Sequence, residues 1–412
     1  MARLRRIDGQ RAEVVVVVLV TVAACLVIWA LRRPDQLRHP YVWAEEYLVV
    51  NRYQDFGPVS AALHPYVGYF MWPTSFSLSL ATFLSFEHLP ALDYVLCTLW
   101  FLVTVLLVLV PASTVDLRWR AGMALALVLV PGEPEVFGVL LFVFWWATMW
   151  PLITLLWSKD HWALRTVVLA VGGMSSLAGA LFVVPYVVSY AISRRRRDLL
   201  GVVVLSACLV PQAIAYLTSA RADAGLDAGA IVLQVLRNAS FYALAWVPDV
   251  QTSFLAFSGA AVLVAAAAMA GQGMARSGHR RELAVLLVAL LLVHIVASAP
   301  APLLTHPIVG GSRYYFLPFA VTSWALLLVI MASPLPWART TAVVLLCLAG
   351  LTLSQGFSRQ HDPVDWSAQL DRCRTEEPPF FVPVHVAEAE AEMWGAHLVM
   401  SPAMCDRLGH GQ

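Results

Sequence analysis

The chain has 412 residues, 60% of them apolar and only 13% charged, and its mean hydropathy is +0.72. Soluble domains average about 45–50% apolar and about 25% charged residues, so an ordinary soluble protein is excluded and a polytopic membrane protein is left. A net charge of +1 also excludes a binder of nucleic acid or another polyanion.

Arg3, Arg5, Arg6 and Arg11 precede the first apolar run, 14–31, which ends in Arg32, Arg33 and Pro34 without a small-residue cleavage site. The run therefore reads as an uncleaved signal-anchor. A membrane span needs about 20 apolar residues; 93–111, 136–157, 199–217, 254–271, 283–299, 315–333 and 340–356 meet this, and the shorter 121–131 is counted with them. The stretch 163–193 is too long for one span and is interrupted by Gly172, Gly173, Ser175, Ser176 and Gly179, so it reads as two helices meeting in a small-residue turn. Residues 70–86 are apolar but rich in Ser and Thr, and read as an interfacial helix. The expected fold is all-α with about 11 transmembrane helices.

Arginine placement sets the orientation, because short cytoplasmic loops carry the positive excess. With the N-terminus inside and this span count, 16 of the 27 basic residues fall on inner segments, including the run Arg194–Arg197. Parity then places the tail, 357–412, outside, beside a transmembrane domain of 1–356 whose first extracytoplasmic loop is 32–92. That loop carries Tyr41, Trp43, Tyr47, Tyr53 and Phe56, a composition that argues for order rather than disorder. The tail is too small for a core of its own and is expected to dock on the outer loops.

Six cysteines form no CxxC pair and no zinc spacing. Cys25, Cys97, Cys208 and Cys347 lie in apolar runs, which leaves Cys373 and Cys405 in the tail as the candidates for a bridge, favoured by an oxidising outer compartment. P-loop, GxGxxG, HExxH and GxSxG motifs are absent. No acidic residue or lysine stands in the middle of a span, which counts against proton-coupled pumps and ion exchangers.

Four outer constellations can carry chemistry. Glu45 and Glu46 lie between Trp43 and Tyr47 at the apolar–water boundary, where desolvation and like charge raise a carboxylate pKa toward that of a general base. Neighbouring helical side chains point about 100° apart, so one of the two at most faces a substrate directly; a pair of solvated loop glutamates is the alternative. In HPYVGYF, 64–70, His64 can position a hydroxyl or phosphate and Tyr66 and Tyr69 can stack on a sugar, or all three belong to the interfacial aromatic belt. Glu133 and Glu135 in PGEPE join the first pair or form a hydrated turn. In GGSRYYFLP, 310–318, Arg313 with Tyr314 stands at the outer start of a span beside Gly310 and Gly311; it suits bidentate phosphate contact or anchors the helix end.

The order of these motifs resembles the GT-C class of polytopic glycosyltransferases, in particular bacterial members with a WAEDG-type motif early in the chain. The matching elements are Trp43-Ala44-Glu45-Glu46-Tyr47, Pro65-Tyr66-Val67-Gly68-Tyr69, the turn 131–135, MSSLAGALFVVP at 174–185, the RYxFLP element at 313–318 and VDW at 364–366. The chain departs from the pattern in Glu46 for Asp, in Tyr47 for Gly, and in Ser-Leu-Ala-Gly where the class has SGPF.

The resemblance implies an inverting transferase in a bacterial plasma membrane, multi-pass, with a cytoplasmic N-terminus and an extracytoplasmic tail. Its donor is a sugar on a polyprenyl phosphate, since activated nucleotide sugars stay in the cytoplasm, and its acceptor is an envelope glycan or glycolipid. Glu46 is the expected base, Glu45 its partner, and Arg313 the neutraliser of the leaving phosphate. A divalent Mg or Mn ion held by Glu45 and Glu46 would do similar work. A transporter or flippase of lipid-linked sugars and a non-catalytic envelope scaffold remain as other classes, and loss of activity in this relative stays open.

Overall fold

The computed structural model describes residues 2–219, 228–248, 278–298, 305–308, 311–361, 363–375, 380–383, 397–400 and 405, with scattered positions between 254 and 272. In chain order the helices are α1 (Ala2–Arg32), α2 (Pro34–Arg38), α3 (Tyr47–Leu63), α4 (Trp72–Leu84), α5 (Leu89–Leu109), α6 (Leu117–Val128), α7 (Val143–Thr148), α8 (Trp150–Leu155), α9 (Trp162–Gly173), α10 (Leu177–Leu181), α11 (Val183–Ser193), α12 (Arg196–Leu217), α13 (Ala228–Leu244), α14 (Arg280–Ser298), α15 (Phe316–Ala332), α16 (Pro336–Gln355) and α17 (Trp366–Thr375). Among the described residues six helical stretches are long and apolar enough to cross a membrane: Ala12–Arg32, Leu89–Leu109, Arg196–Leu217, Arg280–Ser298, Ser312–Ala332 and Pro336–Gln355. The chain is a predominantly helical membrane protein.

Shorter apolar stretches, Leu140–Leu155, Trp162–Gly173 and Leu177–Ser193, fill the space between the long helices. The sequence expectation of a single span at 136–157 is not met. Gly138 takes a positive φ of 66°, a 3-10 turn covers Leu140–Phe142, and Pro151 opens α8. The run 121–131 likewise stops at Val128. The carbonyls of Val128, Val130 and Gly132 turn out of helical register to accept from the Arg32 guanidinium at 3.3, 3.1 and 2.7 Å. The stretch 163–193 divides as its small residues imply, with Ser176 capping α10 by accepting from Gly179 N at 3.0 Å. A Cβ on Gly179 would meet Gly172 O, so only glycine permits this approach.

Of the expected span 254–271 the described positions, 11 of 18, are all helical. One element, α13, was not anticipated. Its polar residues hide it from hydropathy because they bond inward: Gln234 Nε2 donates to Asn238 Oδ1 at 3.0 Å, and Asn238 Nδ2 to Ser298 Oγ on α14 at 3.0 Å. Helix α4, within the expected interfacial stretch, is 13 residues long, or about 20 Å, which is short of a span. Its hydroxyls face the protein: Thr74 Oγ1 donates to Leu141 O at 2.6 Å and Ser77 Oγ accepts from Trp100 Nε1 at 2.8 Å, while Phe76, Phe83 and Leu84 are exposed.

One end of the bundle is closed by a buried ion pair, Arg281 to Asp198 at 2.9 Å, with Ser189 and Ser193 also donating to Asp198 Oδ2. Toward the other end lies an aromatic core in which Trp29 stacks on Phe101 at 4.3 Å and meets Phe137 and Trp146 at 5.3 and 5.5 Å. Lipid offers apolar side chains no less favourable surroundings than a core, so close packing of this kind supplies the specific attraction.

The tail is not all-helical. Strands β1 (Phe380–Pro383) and β2 (His397–Met400) pair antiparallel, Phe380 opposite Met400, a short addition to a chain that is otherwise helical as expected. As expected from its size, the tail docks on the first loop. Trp366 Nε1 donates to Phe86 O at 3.2 Å, and Trp366, Leu370, Leu398 and Cys405 pack with Val42, Val50, Phe86 and Leu89. Cys405 is disulfide-bonded and Cys25, Cys97, Cys208 and Cys347 are free; the expected partner Cys373 is on α17, with its side chain outside the described residues.

Candidate functional site

The end of α1 organises the site. Arg32 and Arg33, both fully buried, draw the turn 128–135 onto the first loop. Arg32 holds the three carbonyls named above. Arg33 donates to Pro134 O at 3.3 Å, to Tyr41 Oη at 2.5 Å and to Asp35 Oδ1 at 3.3 Å. A second strap comes from 305–308, where Pro307 O accepts from Glu133 N at 2.7 Å. Glu133 and Glu135 are thereby fixed on a short rigid turn beside Glu45.

Glu45 and Glu46 lie in a 3-10 turn, Ala44–Glu46, and point apart. Glu46 reaches back so that its Oε2 accepts from Trp43 N at 2.6 Å, a contact of the kind that a third-position glutamate makes at helix starts. Its Oε1 accepts from Leu141 N at 2.8 Å. The residue is 1% exposed. Burial, supplemented by the like charge of Glu45, pushes its pKa up to about 7 against the opposing pull of the two backbone N–H groups. Glu45 turns outward, its side chain 32% exposed, and its Oε1 stands 3.4 Å from the Arg313 guanidinium. Its Oε2 has no hydrogen-bond partner.

Arg313 is the hub. Nη1 lies 2.6 Å from Glu135 Oε1, and Glu135 Oε2 accepts from Arg313 N and Ser312 Oγ, both at 3.0 Å. The guanidinium carbon lies over the rings of Phe142 and Tyr314 at 5.7 and 5.4 Å. Gly311, at φ 75°, starts the 3-10 turn Ser312–Tyr315 that aims these groups; Gly310 lies outside the described residues. Burial works to raise the Glu135 pKa, but the Arg313 charge and the bonds from Arg313 outweigh it and hold the carboxyl below its ordinary value. Burial raises the Glu133 pKa, with Arg359 opposing.

Arg359 was not anticipated. It follows α16, pairs with Glu133 at 2.7 Å, and lies over the Trp43 ring at 5.0 Å. The adjoining His361 meets the Tyr41 and Trp43 rings edge-on at 5.8 and 5.6 Å. A basic residue in a polar tail carries no local signal of such a contact; only the fold returns 359–361 to the first loop. Arg32 and Arg33, read in the sequence only as the end of the anchor, were missed for the same reason.

The structure thus gathers Glu45, Glu133, Glu135, Arg313 and Tyr314 into one group. His64, Tyr66 and Tyr69 form another. Tyr66 and Tyr69 exchange N–H···O bonds at 3.0 and 3.2 Å across Val67 and Gly68, both at positive φ, the geometry of a tight hairpin turn. His64 meets the Tyr66 ring at 5.1 Å, Tyr69 meets Phe144 at 6.1 Å, and Gln212 on α12 clasps Phe70 N and O at 2.9 and 3.1 Å.

A divalent ion does not fit these donors. Mg and Mn take several convergent oxygens, whereas both Glu46 oxygens accept backbone N–H groups and Glu45 faces a guanidinium. Among the described residues no group of three or more His, Cys, Asp or Glu side chains is placed to hold a metal. No protein family, curated protein or solved structure matches the chain.

Proposed function

We propose that the chain is a GT-C-type inverting glycosyltransferase that takes sugar from a polyprenyl-phosphate donor at the extracytoplasmic face of a bacterial cell membrane and delivers it to an envelope glycan or glycolipid. The observation that carries the reading is a half-exposed carboxylate, Glu45, set 3.4 Å from a half-buried guanidinium, Arg313. A base and an anion-binding group thus share one site on a membrane-borne scaffold. Motif order adds to this reading, in which the N-terminus is inside and the tail outside.

The roles of the two glutamates are exchanged relative to the expectation from motif order. Burial and like charge give Glu46 its raised pKa, yet its oxygens are occupied, and solvent reaches Glu45. Glu45 is therefore the base and Glu46 the residue that positions it. The donor phosphate takes the Arg313 guanidinium from Glu45, whose lone pairs are then free. The bond from the anomeric carbon to phosphate breaks as the acceptor oxygen bonds to that carbon from the opposite face, and the acceptor proton passes to Glu45. The phosphate leaves with the electron pair of the broken bond, its charge balanced by Arg313. Fixed charge of this sort in a water-poor site is usually among the largest catalytic contributions.

The test is transfer of radiolabelled sugar from synthetic polyprenyl-phosphate donors by the purified protein in nanodiscs, with lipid-linked acceptors extracted from the source membrane. Turnover lost in Glu45→Gln supports the reading. Movement of intact lipid-linked sugar between leaflets without transfer would favour a flippase, and neither activity would favour a scaffold.

A further inference from the structure

Three aspartates among the described residues are buried: Asp35, Asp93 and Asp198. Two are paired, Asp35 with Arg33 at 3.3 Å and Asp198 with Arg281 at 2.9 Å. Asp93, in the first turns of α5 and 2% exposed, has no hydrogen-bond partner among the described residues for either carboxyl oxygen. An ionised carboxylate without partners in such a place costs several kcal/mol.

Its surroundings share the segment that holds Glu46. One turn along α5, Cys97 Sγ donates to Val139 O at 3.4 Å, and two residues beyond Val139 the Leu141 N–H donates to Glu46 Oε1 at 2.8 Å. The neighbouring Tyr94 lies against Gly138, whose Cβ position is 3.5 Å from its ring. Asp93 and Glu46 are close enough to feel each other's charge. Near this segment the other titratable groups are Glu45, Tyr94, Cys97 and Arg33, and Arg33 is already held by Asp35 and Tyr41. Of the charges on the other helices packed against α5, Arg32 is held by the Val128, Val130 and Gly132 carbonyls. Arg118 and Arg120 stand on α6, where Arg120 bonds Leu109 O at the far end of α5. Helix α4, the 3-10 turn Leu140–Phe142 and helices α7 and α8 contribute no charge.

We infer that Asp93 is a positioning residue that carries a proton, so that Glu46 remains the single buried anion behind the first-loop turn. Two backbone N–H groups favour the anion on Glu46 and none is available to Asp93, so of two neighbouring buried carboxyls the proton belongs to Asp93. A charge on Asp93 would drive a proton onto Glu46, weaken its bonds to Trp43 and Leu141, and loosen the turn that aims Glu45 at Arg313. This proton assignment does not rest on the transferase reading.

The experiment is infrared difference spectroscopy of the full chain in nanodiscs, with the protein made once with carboxyl-labelled aspartate and once with carboxyl-labelled glutamate. At mildly alkaline pH the carbonyl stretch of a protonated buried acid is expected, shifted by labelled aspartate and not by labelled glutamate. Asp93→Asn should remove the band and Glu46→Gln should leave it. Absence of any such band, a band that follows the glutamate label, or a band that survives in a folded Asp93→Asn variant would overturn the assignment. The isotope comparison uses the unaltered sequence, so a variant that fails to fold does not block the test, and the readout is independent of sugar transfer.

Discussion

Arg313 and Glu135 share two contacts, guanidinium to carboxylate at 2.6 Å and backbone N–H to carboxylate at 3.0 Å, and Ser312, the preceding residue, donates to the oxygen that accepts the backbone N–H, at 3.0 Å. The second carboxylate on the guanidinium, Glu45, is held only at 3.4 Å. Glu135 therefore fixes Arg313, and Glu45 is the partner that an incoming anion displaces. A buried carboxylate deprived of the cation bonded to it costs about 3–5 kcal/mol, so Arg313 serves both stability and function.

These two roles separate in substitutions. Arg313→Lys keeps the charge near Glu135 but loses the fork that spans two carboxylates, so sugar transfer should fall about tenfold or more while thermal stability drops only modestly. Arg313→Ala should lower stability by about 3–5 kcal/mol. Chemical denaturation in micelles and donor-transfer rates, measured on the same preparations, check both. A lysine variant with the transfer rate of the unaltered protein would reduce Arg313 to a helix-end anchor.

Glu45→Gln should lower turnover by roughly 10²–10⁴, the range for a lost general base, with the melting temperature and donor binding preserved. Glu46→Gln replaces an acceptor-only group by one with a single acceptor oxygen, so either the Trp43 or the Leu141 N–H is left unsatisfied, at about 1–3 kcal/mol. Its signature is lost stability with a smaller loss of turnover. If Glu46→Gln abolishes transfer in a fully stable protein while Glu45→Gln is active, the original order of roles stands.

The elements of the site were legible in the sequence where the signal was local. Glu45, Glu46, Glu133, Glu135 and Arg313 stand out as charges at apolar boundaries, and Glu45 and Glu135 converge on Arg313. Which glutamate of the adjacent pair faces outward was not legible, since that depends on the Leu141 N–H, 95 residues away in sequence. Arg359 and the arginines ending α1 were hidden because their partners are backbone carbonyls and distant carboxylates. Helix α13 was missed because Gln234, Arg237 and Asn238 lower its hydropathy, although Gln234 donates to Asn238 and Asn238 to Ser298 within the bundle. The run 136–157 failed in the opposite sense, as apolar composition carries no sign of the break that Gly138 and Glu46 impose.

The two buried glutamates of the site, Glu46 and Glu135, shift in opposite directions, and stability should follow pH accordingly. Glu135 is held below its ordinary value, so its contribution is present above the usual carboxylate range and is lost as pH falls through the lowered pKa. Glu46 is raised to about 7; the folded protein binds the extra proton between its ordinary value and about 7, so this residue makes stability decline as pH rises through that window. Glu46→Gln should make the decline shallower, leaving the share of Asp93 and Glu133, and leave the acid limb in place. Thermal unfolding of both proteins across the window checks the difference in slope, and parallel curves would show that Glu46 does not titrate there.

The tail offers a test of both topology and docking. Cys405 is disulfide-bonded and packs with Trp366, Leu370 and Leu398 against Val42, Val50 and Leu89, so the tail is tied to the loop that carries Glu45. With the tail extracytoplasmic, a membrane-impermeant thiol reagent should label Cys405 in intact cells only after reduction. Labelling without reductant would remove the bridge, and labelling confined to lysed cells would remove the orientation. Trp366→Ala deletes a buried aromatic and its bond to Phe86 O, worth about 3–5 kcal/mol in a well-packed core. It should release the tail to limited proteolysis while leaving the long helices protected. If the variant's tail is cut no faster than that of the unaltered protein, the docking is held by the strand pair alone, and Trp366 is not the anchor.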